Sequence, residues 1–551
     1  MDNRVYQIKY IADGTVFETS ELQTEHFDIS ENVSDEAFSL DITPKTKIEL
    51  VDISVSFEKD FADDDKFFAG GYQSWTTTKE LSKKNVQRGV TKLSKLSKKA
   101  YQLAAISSDD DFVKYSDRPG DFHSVTYTYI RNKSHLDFYG SLSEREGYTI
   151  FEVKMTENKF TIRKDVEGAV IDAPRKLFDI VMFSGEYDEV FDKYFEAMKV
   201  PKCRIDHMSG YTSWYNYFQK IDENIILRDL DGLDSVKDSV SIFQIDDGYE
   251  TFVGDWLDPN PSRFPNGLKY VVDKIHDKGY MAGLWVAPFS CQKVSRTAKE
   301  HPDWLIKDKD GKPELGVFAW GGAYTLDIYN DEAREYIKHC FDVILGEWGF
   351  DMVKLDFLYS QCKTPRNGKS RGQIMCEAMD FLRECVGDKL FLGCGVPIGP
   401  SFGVVDACRI SCDVDLVYKG KYYNKLGICN ELPSAQNAMT STMFRRHLDG
   451  RVWVNDPDVF FLRDNNLKFT DEQKLLLAHI NNICGNVLFV SDNVGDYNLR
   501  GIKLIEKFFK KSSAKITEID ECDENIYKIK YTEDGKKKVL TFNLSKGTIL
   551  K

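Results

Sequence analysis

The chain has 551 residues, 42% hydrophobic and 13% aromatic, which is enough for sizeable cores in two or three domains. Its formal net charge of −14 argues against a nucleic-acid partner, because phosphate recognition needs a basic surface. The N-terminus is polar and alternating, and no apolar stretch approaches the roughly 20 residues of a membrane span. We therefore expect no membrane association and a cytoplasmic location.

The cysteines and histidines give no sign of a metal site. The 12 cysteines are scattered without CxxC pairs, and several lie in apolar, strand-like runs, which predicts buried thiols rather than zinc ligands or disulfides. The 9 histidines are not placed with carboxylates at ligand spacing. No nucleotide-binding motif occurs either, so we expect no metal and no cofactor.

Residues 1–195 contain short alternating segments separated by turn-like breaks, a pattern typical of a β-sandwich. One charged interval, 92–103, is compatible with a helix. The segment from Gly70 to Trp75 combines a Gly-Gly turn with an aromatic cluster. It is either a packing corner or a loop that reaches into a neighbouring site, and the residues alone favour the corner.

Residues 196–498 alternate strands with amphipathic helices, which indicates a parallel sheet. Eight strands in a segment of this size predict a (β/α)8 TIM barrel, whose catalytic groups lie at the C-terminal ends of the strands. The predicted strands are 210–215, 241–246, 281–286, 352–356, 390–395, 407–411, 451–454 and 487–490, and the predicted helices are 267–278, 332–348, 373–386 and 471–483. Residues 499–551 return to alternation after one helix-like stretch, and a small antiparallel β-domain fits them.

The central strand holds two charged residues, Lys354 and Asp356, in an otherwise apolar run. Ionised groups in such a strand are costly unless they are paired or used. Because the two residues are two positions apart, both side chains point to the same face of the strand. A structural ion pair is one interpretation, and a site that binds hydroxyls and stabilises positive charge is the other.

Several other predicted strands also end in polar or aromatic residues. Each has a structural alternative, such as a helix cap, a turn, an ion pair or barrel filling. Together they favour a polyol or sugar site, because charged groups grip hydroxyls and tryptophan faces pack on sugar C–H surfaces. The residues concerned are Trp214, Tyr215, Asp246, Asp247, Trp285, Lys354, Asp356, Cys394, Gly395, Arg409, Asp413, Asp456 and Asp458.

Hydrolysis of a glycosidic bond needs two carboxyl groups, and Asp356 and Asp413 end different strands. Lys354 would keep Asp356 ionised as the nucleophile. Asp413 would then be the proton donor, with a pKa raised by the negative Asp356. Arg409 would oppose that rise if it contacted Asp413, so we expect it to face a sugar hydroxyl.

With these residues and their neighbours, the chain resembles the α-galactosidases of glycoside hydrolase family 36, especially the compact bacterial members, over nearly its full length. The pairing of Lys-x-Asp with Arg-x-x-x-Asp, in this order on a barrel, is highly specific. The motifs are Gly71-Tyr-Gln-Ser-Trp75, Thr212-Ser-Trp-Tyr215, Phe243-Gln-Ile-Asp-Asp-Gly-Tyr-Glu250, Gly254-Asp-Trp256, Leu284-Trp-Val-Ala-Pro-Phe289, His301-Pro-Asp-Trp304, Lys354-Leu-Asp-Phe-Leu358, Gly393-Cys-Gly395, Arg409-Ile-Ser-Cys-Asp413 and Trp453-Val-Asn-Asp-Pro-Asp458.

The resemblance implies a retaining double displacement with Asp356 as nucleophile and Asp413 as acid/base. It implies that Asp246 and Asp247 hold the hydroxyls of a terminal galactose, with Lys354, Arg409, Tyr215 and Trp285 in the same subsite. It also implies an N-terminal supersandwich whose Trp75 reaches over the site, which reverses the packing-corner interpretation, and it implies no metal or nucleotide.

Two segments, 413–418 and 396–399, depart from the pattern expected of the family. They leave open whether the substrate is an α-galactoside or an α-N-acetylgalactosaminide. A transglycosylase, a non-catalytic sugar sensor and, more remotely, a metal-dependent hydrolase built around Asp246 and Asp247 are further alternatives. We expect a small carbohydrate as the partner and either a monomer or a homo-oligomer.

Overall fold

In the computed structural model, which describes residues 3–90, 98–420 and 431–550, the chain forms two compact units. The first unit comprises Met1–Pro201, Gln361–Asp380 and Pro397–Val404. The second comprises Lys202–Ser360, Phe381–Val396 and Val405–Lys551, and so holds both the parallel sheet and the C-terminal sheet. Domain boundaries at residues 195 and 498 stay a prediction.

The first unit contains two antiparallel sheets, as the alternating segments predicted. One sheet has the order β2-β1-β5-β12-β11-β8 with β13 on β5, and the other has the order β3-β4-β14-β10-β9-β6-β7. The strands are β1 (Val5–Ala12), β2 (Thr15–Thr19), β3 (Phe27–Val33), β4 (Ala37–Pro44), β5 (Ile48–Glu58), β6 (Lys66–Ala69), β7 (Lys79–Ser82), β8 (Asp121–Val125), β9 (Tyr127–Asn132), β10 (His135–Ser141), β11 (Tyr148–Lys154), β12 (Lys159–Asp165), β13 (Ala169–Ile171) and β14 (Arg175–Glu186).

Apolar residues from both sheets share one core, which confirms the predicted β-sandwich. Alternate side chains of a strand point to opposite faces, so each sheet contributes every second residue. Phe151 and Phe160 from one sheet and Phe38 and Phe178 from the other are fully buried in this core.

Two helices of the first unit follow local sequence signals. Helix α1 (Lys98–Ala105) overlaps the predicted interval 92–103, of which residues 92–97 lie outside the described chain. Helix α2 (Tyr187–Ala197) buries Val190, Phe191 and Tyr194, which form one stripe at helical spacing.

The second unit is built on eight parallel strands in the order β24-β23-β22-β21-β17-β16-β15-β25. A backbone hydrogen bond of 3.1 Å from Asn486 to Asn455 links the two ends of this order, so the sheet forms a near-barrel and confirms the TIM-like prediction. The strands are β15 (Met208–Thr212), β16 (Ile242–Ile245), β17 (Met281–Val286), β21 (Met352–Leu355), β22 (Leu390–Gly393), β23 (Ala407–Arg409), β24 (Val454–Asp456) and β25 (Val487–Val490).

Two predicted strands are shifted by two or more residues at both ends. The strand predicted at 210–215 ends at Thr212, because Trp214–Tyr217 forms a short helix, α3. The strand predicted at 451–454 begins only at Val454, because Gly450 and Trp453 close a turn through a 2.8 Å backbone hydrogen bond.

Helices alternate with these strands, and all four predicted helices are present. The interval predicted as one helix at 332–348 is divided into α7 and a π-helical segment, Asp342–Glu347. Besides α3, the helices are α4 (Glu223–Gly232), α5 (Gly267–Asp277), α6 (Arg296–Glu300), α7 (Asp331–Phe341), α8 (Arg371–Val386), α9 (Ile398–Ser401), α10 (Ala435–Phe444), α11 (Asp471–Cys484) and α12 (Leu499–Phe509).

The second unit also contains two small antiparallel sheets. The first lies between β17 and β21 and contains β18 (Ser290–Gln292), β19 (Leu315–Val317) and β20 (Ala323–Thr325). The second confirms the expected C-terminal β-structure and contains β26 (Lys515–Asp523), β27 (Ile526–Glu533), β28 (Lys536–Asn543) and β29 (Thr548–Ile549).

We predict that Gly140→Ala destabilises the sandwich, because β10 has no room for a side chain there. A Cβ atom would lie 2.4 Å from Cε2 of Tyr194 and 2.6 Å from Cε1 of Phe138. Overpacking of this kind costs about 1–3 kcal/mol, measured as a lower midpoint of urea unfolding. The matched control is Gly346→Ala, where the added Cβ meets no atom within 4 Å and the midpoint should not fall. Equal midpoints for the two variants would contradict the packing argument.

Candidate active site

Asp356 follows directly after β21, at the C-terminal end of the central strand. Its backbone amide continues the sheet by donating to the carbonyl of Val286 at 3.0 Å. One carboxylate oxygen accepts a 3.1 Å hydrogen bond from Nε1 of Trp285, and the other accepts a 2.8 Å bond from the amide of Phe357. Phe357 has a φ of +56°, a conformation that is uncommon for a bulky residue. These contacts fix the direction of the Asp356 carboxyl group.

Burial and two neighbouring charges act on the pKa of Asp356. Burial raises it, the charge of Lys354 opposes that rise as expected, and the charge of Asp413 adds to it. On balance the pKa lies above its ordinary value, because burial disfavours the charged form. That Lys354 keeps Asp356 ionised as the nucleophile stays a prediction.

Lys354 has its ion pair with a different carboxylate. Its Nζ lies 2.9 Å from Oδ2 of Asp246, the residue that follows β16. The same oxygen accepts hydrogen bonds from Gln244 at 2.9 Å and Thr212 at 3.3 Å. Burial works to lower the pKa of Lys354, but Asp246, Cys394 and Asp356 together outweigh that effect and the pKa is raised. The two strands β16 and β21 are thus joined by a buried ion pair at their C-terminal ends.

Asp247 lies beside Asp246 and is held by two side chains from loops. Its carboxylate accepts hydrogen bonds from Nε2 of Gln219 at 3.0 Å and from Nε1 of Trp320 at 2.8 Å. Burial raises the pKa of Asp247, and burial together with Asp247 raises that of Glu250 well above its usual range. Asp247 and Glu250 therefore form a buried pair of carboxyl groups in which a shared proton is favoured.

Trp320 was missed by sequence reasoning, although it contacts the site directly. It lies between β19 and β20 with a φ of +56°, and Gly321 and Gly322 follow it. The tryptophan beside the Gly-Gly pair was the available signal, because such a pair permits a sharply turned loop. No predicted strand ends at this position.

Tryptophans and a phenylalanine form a wall around Asp356. Trp285 makes edge contacts with Trp256 and with Trp320, both at 5.8 Å between ring centroids. Trp320 in turn lies 5.0 Å from Phe357. Aromatic surface next to carboxylates suits a ligand that has both hydroxyl groups and apolar C–H faces.

Arg409, the last residue of β23, is surrounded by carboxylates. It lies 2.8 Å from Asp413, 3.3 Å from Asp456 and 2.9 Å from Asp458, and its side chain is 3% exposed. The expectation that Arg409 points at a sugar hydroxyl rather than at Asp413 was therefore wrong. Four positions separate the two residues, and the turn after β23 brings the carboxylate back to the guanidinium.

Tyr215 is also part of this group, because its hydroxyl donates a hydrogen bond to Asp458. Burial raises the pKa of Tyr215 well above its usual range, and the charge of Asp413 contributes to the shift. Trp214 precedes Tyr215 on α3 and packs edge-on against Phe218 at 5.1 Å.

Cys394 and Gly395 follow β22. The Cys394 thiol is buried, and burial together with the charge of Asp356 raises its pKa well above the usual range. Gly395 adopts a φ of +52°, and its carbonyl accepts a 2.9 Å hydrogen bond from the amide of Tyr359. The second unit thus contains all the predicted site residues except Trp75.

Trp75 lies in the first unit, in the loop between β6 and β7. Its amide donates to the side-chain oxygen of Gln73 at 2.9 Å, and the amide of Tyr72 donates to Asp109 at 3.0 Å. These hydrogen bonds fix the turn. That Trp75 approaches a bound sugar stays a prediction.

Among the described residues, no helix is long and apolar enough to cross a membrane. No group of three or more histidine, cysteine, aspartate or glutamate side chains is arranged to hold a metal ion in the same parts of the chain.

Parallel strands that carry carboxylates, two buried cations and tryptophans at their C-terminal ends define a barrel protein with a charged, aromatic-lined candidate site. The melibiase family model matches residues 215–376, which include Asp246, Asp247, Lys354 and Asp356. A galactosaminidase from Flavonifractor plautii that acts, by its name, on A-type blood α-D-galactosamine is 32% identical over 152 residues, or 26% of this chain. The chain spans only 14% of that relative's length.

Solved structures extend the likeness of fold to the full chain. An α-galactosidase from Thermus thermophilus, in complex with p-nitrophenyl α-D-galactopyranoside, has a TM-score of 0.72 at 23% identity and covers 96% of this chain and 98% of its own. The family 36 α-galactosidase AgaA from Geobacillus stearothermophilus has a TM-score of 0.63 at 12% identity, with 98% and 80% covered. The melibiase match and the shared fold confirm the resemblance to the α-galactosidases of glycoside hydrolase family 36.

We predict that Lys354→Met lowers the free energy of unfolding by about 3–5 kcal/mol, because it leaves Asp246 buried without its cation. Adding Asp246→Asn should restore part of this loss, since the uncompensated charge is then gone. Urea denaturation measures both changes. The control is Lys338→Met, which removes a pair with Asp342 that is more than half exposed, and which should cost about 1 kcal/mol or less. A double variant less stable than Lys354→Met alone would contradict this account.

Proposed function

We propose that the protein is a retaining exo-α-galactosidase that removes terminal α-D-galactosyl residues from oligosaccharides and other glycosides. The observation that carries the proposal is the pair Asp356 and Asp413, which follow strands β21 and β23 and lie close enough for the charge of Asp413 to raise the pKa of Asp356. Two carboxyl groups are what double displacement at a glycosidic bond requires. The Thermus relative in fold is named as an α-galactosidase and holds an α-galactoside.

In the first step, Asp356 is the nucleophile. A carboxylate oxygen of Asp356 forms a bond to C1 of the galactosyl residue while the bond from C1 to the glycosidic oxygen breaks. The electron pair leaves with that oxygen, which takes the proton of Asp413. Trp285 and the Phe357 amide keep the Asp356 carboxylate aimed during this step.

In the second step, Asp413 acts as the base. Water gives a proton to Asp413, its oxygen bonds to C1, and the bond between C1 and Asp356 breaks. Galactose leaves with the configuration of the substrate, because each of the two displacements inverts C1. The partial exposure of the Asp413 side chain, 39%, suits a group that must meet both the leaving group and water.

Asp246 and Asp247 would bind the sugar hydroxyls by charge-assisted hydrogen bonds. Their other partners, Lys354 and Trp320, hold them in place, and Trp285 would pack on the C–H face of the sugar. Tyr215, Trp214, Cys394 and Gly395 are proposed to line the same subsite, and Trp75 to approach it.

A second candidate is an α-N-acetylgalactosaminidase with the same machinery. The Flavonifractor relative is named as an α-D-galactosamine galactosaminidase, which supports a substrate with nitrogen at the 2-position of the sugar. A non-catalytic sugar sensor is the candidate of another class, and the retention of both Asp356 and Asp413 argues against it. Cytoplasmic location and the choice between monomer and homo-oligomer stay predictions.

We predict that Asp356→Gly abolishes hydrolysis of nitrophenyl α-galactoside and that azide restores turnover by replacing the lost carboxylate. The product should be β-galactosyl azide, because azide attacks C1 from the face that Asp356 occupied. Product analysis by NMR measures the configuration. Parallel assays with nitrophenyl α-N-acetylgalactosaminide decide between the two candidate substrates.

The matched control is Asp413→Gly. Here Asp356 is intact and forms the covalent intermediate, so azide should attack from the opposite face and give α-galactosyl azide. An Asp356→Gly variant as active as the wild type would overturn the assignment of the nucleophile. A wild-type protein that binds galactose but hydrolyses neither glycoside would favour the sensor.

A further inference from the structure

One cation among three carboxylates sets the charge of the region around Asp413. Arg409, Asp456 and Asp458 are buried, with side chains 3%, 4% and 1% exposed. If all three carboxyl groups were ionised, this cluster would carry two uncompensated negative charges. Burying such charge is costly, so one proton is favoured within the cluster near neutral pH.

Asp458 is the most tightly held member of this cluster. Its Oδ2 accepts a 2.8 Å hydrogen bond from the amide of Val414, the residue next to Asp413, and another from the Tyr215 hydroxyl. Its Oδ1 makes an ion pair of 2.9 Å with Arg409, which is close but not aligned as a hydrogen bond. Asp458 therefore binds both the guanidinium and the backbone that carries Asp413.

The turn that presents Asp458 is fixed from several sides. Asp458 has a φ of +73°, which a non-glycine residue adopts only when its surroundings impose it. Its amide donates to Asp456 at 2.8 Å, and its carbonyl accepts a 3.0 Å hydrogen bond from the side chain of Asn481. The backbone is held in an unfavourable conformation, and the result is a carboxyl group placed beside Arg409.

The guanidinium would otherwise oppose the role of Asp413. A lone cation 2.8 Å from a carboxyl group favours its ionised form, whereas a proton donor must hold its proton until the leaving group needs it. Asp456 and Asp458 share the positive charge of Arg409 and so weaken its effect on Asp413.

We propose that Asp458 is a positioning residue for the acid/base Asp413: by sharing Arg409 and holding the amide of Val414, it allows Asp413 to carry the proton given to the leaving group. This inference rests on the proposed function. It adds a residue, in the Asp-Pro-Asp turn, to which the proposed mechanism gave no part.

The electrostatics around Asp458 agree with this geometry. The pKa of Asp458 is raised to about 7, because burial and the charges of Asp413 and Asp456 raise it more than Arg409 lowers it. The hydrogen bond from Tyr215 lowers it. Asp458 and Asp413 thus respond to each other's charge through one guanidinium.

The test compares two substrates, nitrophenyl α-galactoside and methyl α-galactoside, in the Asp458→Asn variant. Nitrophenolate leaves without a proton, whereas methanol needs one, so only the second substrate depends strongly on Asp413 as an acid. With Asp458 neutral, Arg409 favours ionised Asp413. We expect kcat/KM to fall for the methyl glycoside by a factor about tenfold or more larger than for the nitrophenyl glycoside. The basic limb of its pH profile should move to lower pH.

Asp492→Asn is the matched control. Asp492 is likewise buried, paired with an arginine, Arg463, and bonded to a tyrosine hydroxyl, that of Tyr497, at 2.6 Å. If Asp492→Asn has only a structural effect, kcat/KM should fall by the same factor for both substrates. Equal losses and an unchanged pH profile in Asp458→Asn would overturn the proposal.

If Asp458→Asn does not fold, Tyr215→Phe decides, since it removes one donor to Asp458 and keeps the carboxyl group. The kcat/KM for the methyl glycoside, divided by that for the nitrophenyl glycoside, should then fall as in Asp458→Asn but by a smaller factor. An unchanged ratio would overturn the proposal. The outcomes separate the two inferences. A wild type that cleaves neither galactoside refutes the proposed function, whereas a wild type that cleaves both, with an unmoved ratio in the variants, refutes only the role of Asp458.

Discussion

The compensation of buried negative charge is the constraint on which the rest of the second unit depends. Parallel strands in a near-barrel direct their C-terminal ends to one edge, and here that edge holds Asp246, Asp356, Asp456 and Asp458 in buried positions. Lys354 and Arg409 form direct ion pairs with members of this group. Further contacts to these carboxylates come from tryptophan, glutamine, threonine and tyrosine side chains and from backbone amides. The site is therefore a set of carboxyl groups with few counter-charges. Small structural changes in it alter which carboxyl group carries a proton.

This constraint divides the site into two parts with different tasks. Around Lys354 and Asp246, one cation meets one carboxylate, and the pair joins two strands firmly. Around Arg409, one cation meets three carboxylates, and protonation remains adjustable. The firm part suits the binding of sugar hydroxyls, and the adjustable part suits proton transfer.

Much of the fold could be predicted from sequence because its strands are continuous apolar runs. Strands β17 and β25 have the predicted bounds, and Asp356 follows β21 as expected. Alternation within the first 195 residues was enough to predict the sandwich. At Trp214 the apolar pattern placed the strand end wrongly. Local hydrogen bonds form a short helix there, although the residues are apolar enough to continue the strand.

Pairing within the site could not be predicted, because the partners are far apart along the chain. Lys354 binds Asp246 across 108 positions rather than its neighbour Asp356. Trp320 reaches Asp247 from a loop that carries no periodic signal, 73 positions away. Arg409 was expected to face a sugar hydroxyl, and only the fold shows that Asp413, Asp456 and Asp458 compete for its guanidinium.

The composition of the first unit has a consequence for biosynthesis. That unit ends its first segment at Pro201 but also includes Gln361–Asp380 and Pro397–Val404, which begin 160 and 196 residues later in the chain. A ribosome adds about 5–20 residues per second, so about 10–40 s separate the first segment from the last. During that interval the nascent first unit lacks two of its segments, and parts of the second unit are synthesised between them. The first unit to emerge can therefore be completed only after much of the barrel has left the ribosome.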